Sequence, residues 1–375
     1  MSRTLFLYGP LCMPVMMQIV ADGRPAEEPA RLDGYRAAPR ESDDWPVLVQ
    51  DPGAVTQGIL LRDVSEGMTA RIAHYADAYG LVPAEVVVEA DGQPVPARAF
   101  RPEHSTQAVA PGRWSLEGWA EATGEEACHA AHEIMKLRGR YHGGALRFRL
   151  GQIRARAASR VAAERFPAKH ALASGPSDAW VQELHQQDDH AGYFIARTYD
   201  LRHQTFAGGP SEPIRREVFL APDAAIVLPY DPARDRILLV EQFRMGPYGR
   251  GEGVPWMLEP VAGRVDPGES PETCARREAR EEAGLDLDAL HHVASCYPSP
   301  GCLSEFHHCY VGLCSLPDIQ RGHGGLDEEA EDIRTHVLSF ERAMELVSSG
   351  EARNAPLVLT LLWLASRRSE LRGAA

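Results

Sequence analysis

The sequence has little positive charge, no closely spaced cysteine pair and no long hydrophobic run. Its 375 residues contain 39 Lys and Arg against 53 Asp and Glu, so the formal net charge is −14. Sequence-independent nucleic-acid binding depends on cationic side chains that neutralise phosphates, and this composition therefore disfavours that class of protein. If the chain handles phosphorylated compounds, we expect metal ions to offset its negative charge.

The cysteines and the hydrophobic segments favour a cytoplasmic protein. The 7 Cys form no Cys-x-x-Cys pair, which favours a reducing compartment over a disulfide-stabilised fold. The apolar stretch from Leu5 to Val20 is interrupted by Pro10 and Pro14, and no small-residue cleavage pattern follows it, so we do not expect a signal peptide. No run reaches the roughly 18 apolar residues that a membrane span needs.

The length favours two domains joined by a connector, and composition separates three zones. Residues 1–120 carry short apolar runs broken by Gly, Pro and Asp, with a predicted hairpin at Asp91-Gly92, and we predict a small α+β domain there. Residues 121–187 are rich in Ala, Glu, Arg and His, which predicts a helical connector. Residues 188–375 alternate strand-like runs, suited to a mixed sheet of an α/β domain, and end in an amphipathic helix.

One segment of the third zone predicts a short helix that carries several carboxylates. Ser270 is a favourable N-cap, Pro271 suits the first helical position, and Gly284 is a natural residue just past the end. Glu278 and Glu282 are four residues apart and therefore share one face of this helix.

The clustered carboxylates Glu278, Glu281 and Glu282 repel one another, and a hard divalent cation would relieve that repulsion. Arg277 can bind a neighbouring carboxylate, such as Glu269, and so hold the preceding loop. A solvent-exposed helix with ordinary Arg–Glu pairs, each contributing a few tenths of a kcal/mol, is the alternative interpretation.

The full stretch 263–285 resembles the Nudix box, Gly-x5-Glu-x7-Arg-Glu-U-x-Glu-Glu-x-Gly-U, at every fixed position, with Ala279 as a small member of the U class. The resemblance implies an α/β/α sandwich that hydrolyses a nucleoside diphosphate linked to another moiety, with Mg²⁺ or Mn²⁺. It also implies that Glu278 and Glu282 are metal ligands, with Glu281 nearby and the backbone carbonyl of Ala262 as a further ligand.

The segments around the box are similar to those of the ADP-ribose pyrophosphatase subfamily, over about residues 190–370. They comprise a Pro at the subfamily's position after the box, a following Glu, three upstream segments and an acidic loop: Pro300, Glu305, 215–219, 240–244, 258–263 and 325–333. The resemblance makes Glu329 the general base and Glu331 a third metal-binding carboxylate, although Glu328 competes within the same loop. Its implied ADP-ribose site contains five residues: Arg216, Arg244, Tyr193, Glu305 and Pro300.

The subfamily resemblance also implies a homodimer, paired through the sheet and its N-terminal strands, with substrate partly between the chains. A sister group that hydrolyses sugar nucleotides such as GDP-mannose is the nearest alternative. A non-catalytic sensor that binds ADP-ribose is a second alternative, which the intact box and acidic loop disfavour.

The first zone has a weaker resemblance, over about residues 1–105. Tyr8-Gly9-Pro10-Leu11 resembles the opening loop of the γ-glutamylcyclotransferase-like fold, whose backbone N–H groups hold a carboxylate or carbonyl oxygen. The family's catalytic Glu would fall at Ala76, which cannot transfer a proton, and the adjacent Asp77 is turned by about 100° on a helix. We therefore expect a degenerate binding or scaffolding domain, with a bifunctional enzyme as the alternative.

The two domains together resemble the tellurite-resistance-associated Nudix proteins of bacteria.

Overall fold

A computed structural model describes residues 4–40, 45–102, 109–110, 112–165, 172, 180–316, 323–324 and 332–373. The chain forms two compact units. Unit 1 comprises Met1–His170 with Ala191–Tyr193, and unit 2 comprises Ala171–His190 with Phe194–Ala375. Among the described residues, none of the helices combines the length and the apolar character that a membrane crossing requires.

Unit 1 is built on a closed five-stranded barrel in the order β1-β3-β2-β4-β5. Its elements are β1 (Leu5–Leu7), a 3₁₀ turn (Gly9–Cys12), α1 (Pro14–Ala21), β2 (Glu28–Ala38), β3 (Val47–Leu61), α2 (Glu66–Ala78), β4 (Leu81–Ala90), β5 (Gln93–Pro102), α3 (Leu116–Lys136) and α4 (Gly143–Arg165). The predicted hairpin is β4–β5. Asp91 and Gly92 both have positive φ, as a two-residue type I′ turn requires.

The helices of the predicted connector pack within unit 1. Helix α3 contacts α1 and α4, and α4 contacts α2. The buried face of α3 consists of small and branched apolar residues, among them Ala130, Ala131 and Ile134. Helix α3 begins at Leu116, before the predicted start of the connector at residue 121, because Ser115 caps it by accepting a hydrogen bond from the Gly118 N–H.

Unit 2 contains a three-stranded sheet, β6-β7-β8, and a larger sheet in the order β13-β14-β9-β10-β16-β15, with β11 paired to β10 and β12 paired to β9. Its elements are β6 (Val181–Ala191), β7 (Ile195–His203), β8 (Ile214–Leu220), β9 (Ala224–Asp231), β10 (Arg236–Phe243), α5 (Met245–Arg250), β11 (Trp256–Glu259), β12 (Val261–Arg264), α6 (Pro271–Ala283), β13 (Ala289–Cys296), β14 (His307–Leu313), β15 (His323–Gly324), β16 (Ile333–Ser339), α7 (Phe340–Ser349) and α8 (Ala355–Gly373).

Helices cover both faces of the larger sheet. Alternate residues of β10 point to opposite faces: Leu238 packs in the cluster that contains Ala279 of α6, whereas Leu239 packs in the cluster that contains Leu346 of α7 and Leu361 of α8. Strands buried on both faces explain the continuous apolar runs of β9 and β10. The predicted α/β/α sandwich is confirmed.

The last helix is bound to the turn between β9 and β10 by one buried carboxylate. Asp235 accepts hydrogen bonds from Arg368 (Nε, 3.0 Å), Arg372 (Nη1, 2.7 Å) and the Tyr230 hydroxyl (2.7 Å). Burial raises the pKa of Asp235, but the hydrogen bonds from Arg368 and Tyr230 outweigh it, so the pKa lies below its ordinary value.

Asp235→Asn is expected to lower the free energy of unfolding by about 1–3 kcal/mol near neutral pH, because two arginines lose their shared charged acceptor. Asn tolerates the positive φ of this position.

Because the folded-state pKa of Asp235 is depressed, this stabilisation is present above the unfolded pKa of about 3.9 and is lost as pH falls through the folded pKa. Urea unfolding at several pH values tests this: the difference in stability between the two proteins should begin to shrink near pH 4 and vanish only below the folded-state pKa. The exposed pair of Arg280 and Asp286 provides the control, since Asp286→Asn should change stability little.

Candidate functional site

The predicted carboxylate-bearing helix is α6, with the predicted ends. The Ser270 hydroxyl accepts a hydrogen bond from the Thr273 N–H, and Gly284 terminates the helix with φ 64°. The Gly284 N–H donates to the Arg280 carbonyl, as in an αL C-cap, and the Leu285 N–H donates to the Ala279 carbonyl. Both ends of the helix are therefore fixed by local chemistry.

Small residues on α6 allow the helix to lie close to the sheet. Cys274, Ala275 and Ala279 are fully buried in one cluster with Val227 of β9 and Val261 of β12. The small residue at Ala279 therefore fits a close helix–sheet approach. This packing directs the neighbouring glutamates toward β12.

Glu278 and Glu282 lie against consecutive residues of β12. Glu282 is only 2% exposed, and its Oε2 accepts a hydrogen bond from the Ala262 N–H at 3.3 Å. The Glu278 carboxylate fills the space beside Gly263, where an added Cβ would lie 1.8 Å from Oε1. Gly263 thus provides the empty volume that the Glu278 side chain needs.

The backbone carbonyl of Ala262 faces the same region. In an antiparallel ladder, the N–H and C=O of one residue point to the same side of the strand. The Ala262 N–H donates to Glu282, and the Arg264 carbonyl, two residues further on, accepts from Arg277 Nη2 at 3.1 Å. Three of the predicted ligand groups, from Ala262, Glu278 and Glu282, are therefore brought together at this side of β12.

Arg277 connects the carboxylates with the preceding loop. Its Nε and Nη2 donate to the two oxygens of Glu269 at 3.1 and 3.0 Å, so the predicted ion pair is confirmed. Its Nη1 donates to Glu278 (2.6 Å) and Glu281 (3.0 Å). Burial lowers the pKa of Arg277, but the hydrogen bond with Glu269 and the charge of Glu278 raise it above its ordinary value. Arg277 therefore remains charged and offsets part of the local negative charge.

The donor set fits a hard divalent cation, because it consists of carboxylate and carbonyl oxygens. Within the described residues, no group of three or more His, Cys, Asp or Glu side chains is arranged to hold a metal ion. Glu281 is turned toward Arg277 rather than β12. The acidic-loop predictions, which concern Glu328, Glu329 and Glu331, lie outside the described residues.

Two of the predicted substrate contacts, Arg244 and Glu305, bind neighbouring side chains. The Arg244 guanidinium binds Glu259, with Nε and Nη2 at 2.8 and 2.6 Å from Oε2. The Glu305 carboxylate lies 3.0 Å from Nε2 of His307. Glu259 was not among the predicted site residues, although a charged residue in the apolar strand β11 is a signal that a partner is needed.

The other predicted contacts are on the surface. Arg216 is exposed on β8, and Pro300 is exposed in the loop before β14. Backbone hydrogen bonds join this loop to β8, from the Phe219 N–H to the Cys302 carbonyl (2.8 Å) and from the Ser304 N–H to the Phe219 carbonyl (3.0 Å). Tyr193 belongs to unit 1, where its carbonyl accepts from Arg156 at 3.2 Å.

In unit 1, the loop after β1 is covered by neighbouring side chains. Gly9 has φ 70°, and an added Cβ there would lie 2.7 Å from the Pro46 ring. The adjacent Trp45 is buried and packs against Tyr75 and Tyr79 of α2, with ring centroids 5.5 and 4.9 Å away. This aromatic cluster fills the space between α2 and the start of β3.

The position expected for a catalytic carboxylate in unit 1 is apolar and closed. Ala76 is fully buried. The adjacent Asp77 accepts a hydrogen bond from the Gly143 N–H at 2.6 Å, where α4 begins, and lies 3.5 Å from Arg147. Asp77 therefore stabilises the start of α4, which supports the proposal that unit 1 has no cyclotransferase chemistry.

Comparisons with known proteins agree with the fold and the box. The NUDIX domain model matches residues 220–361, and the model described as gamma-glutamyl cyclotransferase, AIG2-like matches residues 5–116. The ADP-ribose pyrophosphatase of Escherichia coli (strain K12) is 41% identical over 192 residues, which cover 51% of this chain and 91% of that protein. The ADP-ribose pyrophosphatase of Haemophilus influenzae is 37% identical over 51% of this chain and 89% of its own length.

A third relative carries a different substrate in its name. The GDP-mannose pyrophosphatase of Salmonella choleraesuis is 36% identical, over 46% of this chain and 88% of that protein.

The family models and these relatives together show that the chain belongs to the Nudix family, as a Nudix hydrolase with an N-terminal γ-glutamyl cyclotransferase, AIG2-like domain. Both predicted resemblances are confirmed at this level, whereas the link to tellurite resistance stays a prediction.

Proposed function

We propose that this protein hydrolyses the diphosphate of ADP-ribose to AMP and ribose 5-phosphate, with Mg²⁺ as the metal. The arrangement of Glu278 and Glu282 against β12, beside the Ala262 carbonyl, is the observation that carries this proposal. Water adds a hydroxyl group to one phosphorus atom, and the bond between that phosphorus and the bridging oxygen breaks. The bridging oxygen stays on the other phosphate and takes up the proton. The ADP-ribose pyrophosphatases that are 41% and 37% identical support this substrate.

The residues of unit 2 divide the work. Ala262, Glu278 and Glu282 would hold the metal, which would supply charge neutralisation of the diphosphate and a more acidic bound water. Glu281, predicted to lie near the metal, binds Arg277 and would contribute mainly to the local charge. Arg277 holds Glu269 and, through it, the loop before α6. By resemblance, Glu331 adds a further carboxylate and Glu329 accepts the proton of the attacking water.

Four residues of unit 2 would bind the ADP-ribose: Arg216, Arg244, Glu305 and Pro300. Tyr193 belongs to unit 1, and its role stays a prediction from the sequence. Arginine suits this task because its planar guanidinium binds phosphates in two-point geometry and stacks on bases. The backbone hydrogen bonds between β8 and the loop before β14 support a shared site for Arg216, Pro300 and Glu305.

The assembly and the alternative substrate are part of this proposal. A homodimer would pair through β6-β7-β8, and the exposed rings of Phe194, in the turn between β6 and β7, and Phe219, on β8, are apolar surface that such pairing would cover. We place the protein in the cytoplasm. GDP-mannose is the second candidate substrate, supported by the Salmonella relative.

Hydrolysis of a nucleotide panel with Mg²⁺ tests the substrate. The panel contains ADP-ribose, GDP-mannose, ADP-glucose, NADH and diadenosine polyphosphates, each repeated without metal. We expect ADP-ribose to have the highest kcat/KM and turnover to stop on chelation. A preference for GDP-mannose would retain the mechanism and replace the substrate, and hydrolysis of none would favour a sensor.

A further inference from the structure

Glu259 is a buried carboxylate in a strand that is otherwise apolar. It ends β11, is 6% exposed and pairs with Val240 of β10. A buried charge is unfavourable unless it is paired and hydrogen-bonded, so the partners of Glu259 indicate its role.

The two oxygens of Glu259 bind residues from different parts of unit 2. Oε2 accepts both hydrogen bonds from Arg244, at the end of β10, and Oε1 accepts one from Asn354 Nδ2 at 2.9 Å. The Asn354 Oδ1 accepts from the Leu357 N–H at 3.0 Å and so caps the start of α8. One carboxylate thus joins the end of β10 to the start of α8.

This connection restricts Arg244 without burying it. An arginine side chain loses about 2 kcal/mol of rotamer entropy when it is fixed, and a partner that fixes it beforehand removes part of that loss from ligand binding. The Arg244 side chain is still 39% exposed, so it remains accessible to a ligand. Its direction is set by Glu259, and the position of Glu259 is set in turn by Asn354.

We propose that Glu259 is a positioning residue that orients Arg244 toward the phosphates of the substrate. The inference rests on the proposed function, because it takes Arg244 as a phosphate contact. Glu259→Gln removes the charge that holds the guanidinium and keeps the size of the side chain. We expect KM for ADP-ribose to rise about 10-fold to 30-fold and kcat to change less than about threefold, since the interaction is made equally in the ground and transition states.

A double-mutant cycle separates positioning from general destabilisation. If Glu259 acts through Arg244, Glu259→Gln should have no further effect on kcat/KM in an Arg244→Ala background. Glu259→Asp, which retains the charge, should recover part of the lost affinity and also serves if Glu259→Gln folds poorly. Glu252→Gln is the matched control, because Glu252, like Glu259, binds two side chains, in this case Arg250 and Arg353, and the variant should keep the wild-type KM.

The outcomes distinguish this inference from the proposed function. Absent wild-type turnover of ADP-ribose would overturn the proposed function and this inference with it. Normal wild-type turnover with an unchanged KM in Glu259→Gln would overturn this inference alone. Additive effects of Glu259→Gln and Arg244→Ala would also overturn it, because they would show that Glu259 acts independently of Arg244.

Discussion

Glu282→Gln is expected to reduce kcat by about 10³-fold or more, about 4 kcal/mol in barrier height, while the protein stays folded. Gln has nearly the same shape and can still accept the hydrogen bond from the Ala262 N–H. It lacks the negative charge that a hard divalent cation requires of its ligands. The Glu282 side chain is buried, so a carboxylate from the protein surface cannot take its place without a rearrangement of the site.

Steady-state hydrolysis and thermal unfolding, measured on the same preparation, check this expectation. Glu281→Gln is the control, because Glu281 lies one residue away on α6 but binds Arg277 Nη1 and is partly exposed. Its loss of activity should be much smaller. Wild-type kcat in Glu282→Gln would contradict the assigned role of the α6 carboxylates.

Gly263→Ala is expected to lower kcat by about 10-fold to 100-fold, the range seen when a metal ligand is misoriented. The new methyl group would occupy the space of the Glu278 carboxylate, since an ideal Cβ lies 1.8 Å from Oε1. The clash is with the end of a flexible side chain, so Glu278 can swing away and the fold should lose little stability. The effect should therefore appear mainly in activity and in the affinity for Mn²⁺.

Mn²⁺ titration by electron paramagnetic resonance, together with kcat, measures both effects. Gly253→Ala is the matched control, because nothing lies within 4 Å of an added Cβ there. Equal kcat in Gly263→Ala and Gly253→Ala would contradict the proposal that Glu278 binds the metal from its position beside Gly263.

Local chemistry made the central helix predictable. Ser270 and Gly284 act on residues within one turn of themselves, so the ends of α6 follow directly from the sequence. The pairing of Arg277 with Glu269 was also accessible, because the Nudix box fixes their spacing. The same holds for the β4–β5 hairpin, whose two-residue turn is a local signal.

Contacts between distant segments were not predictable in the same way. Arg244 and Asn354 meet through Glu259, and no sequence pattern places the three together. Helices α3 and α4 show helical periodicity, but that pattern does not say against which surface a helix packs. Their place in unit 1 follows from burial of Ala131 and Ile134 in the folded chain.

The hydrogen bond from the Gly143 N–H to Asp77 has a consequence for genetic studies of unit 1. Asp77 is the acidic residue nearest to the expected catalytic position, and a loss-of-function phenotype there would invite a catalytic interpretation. Its carboxylate instead holds the first residue of a long helix, so such a phenotype would report reduced protein abundance. Protein levels measured beside any Asp77 phenotype would separate the two explanations.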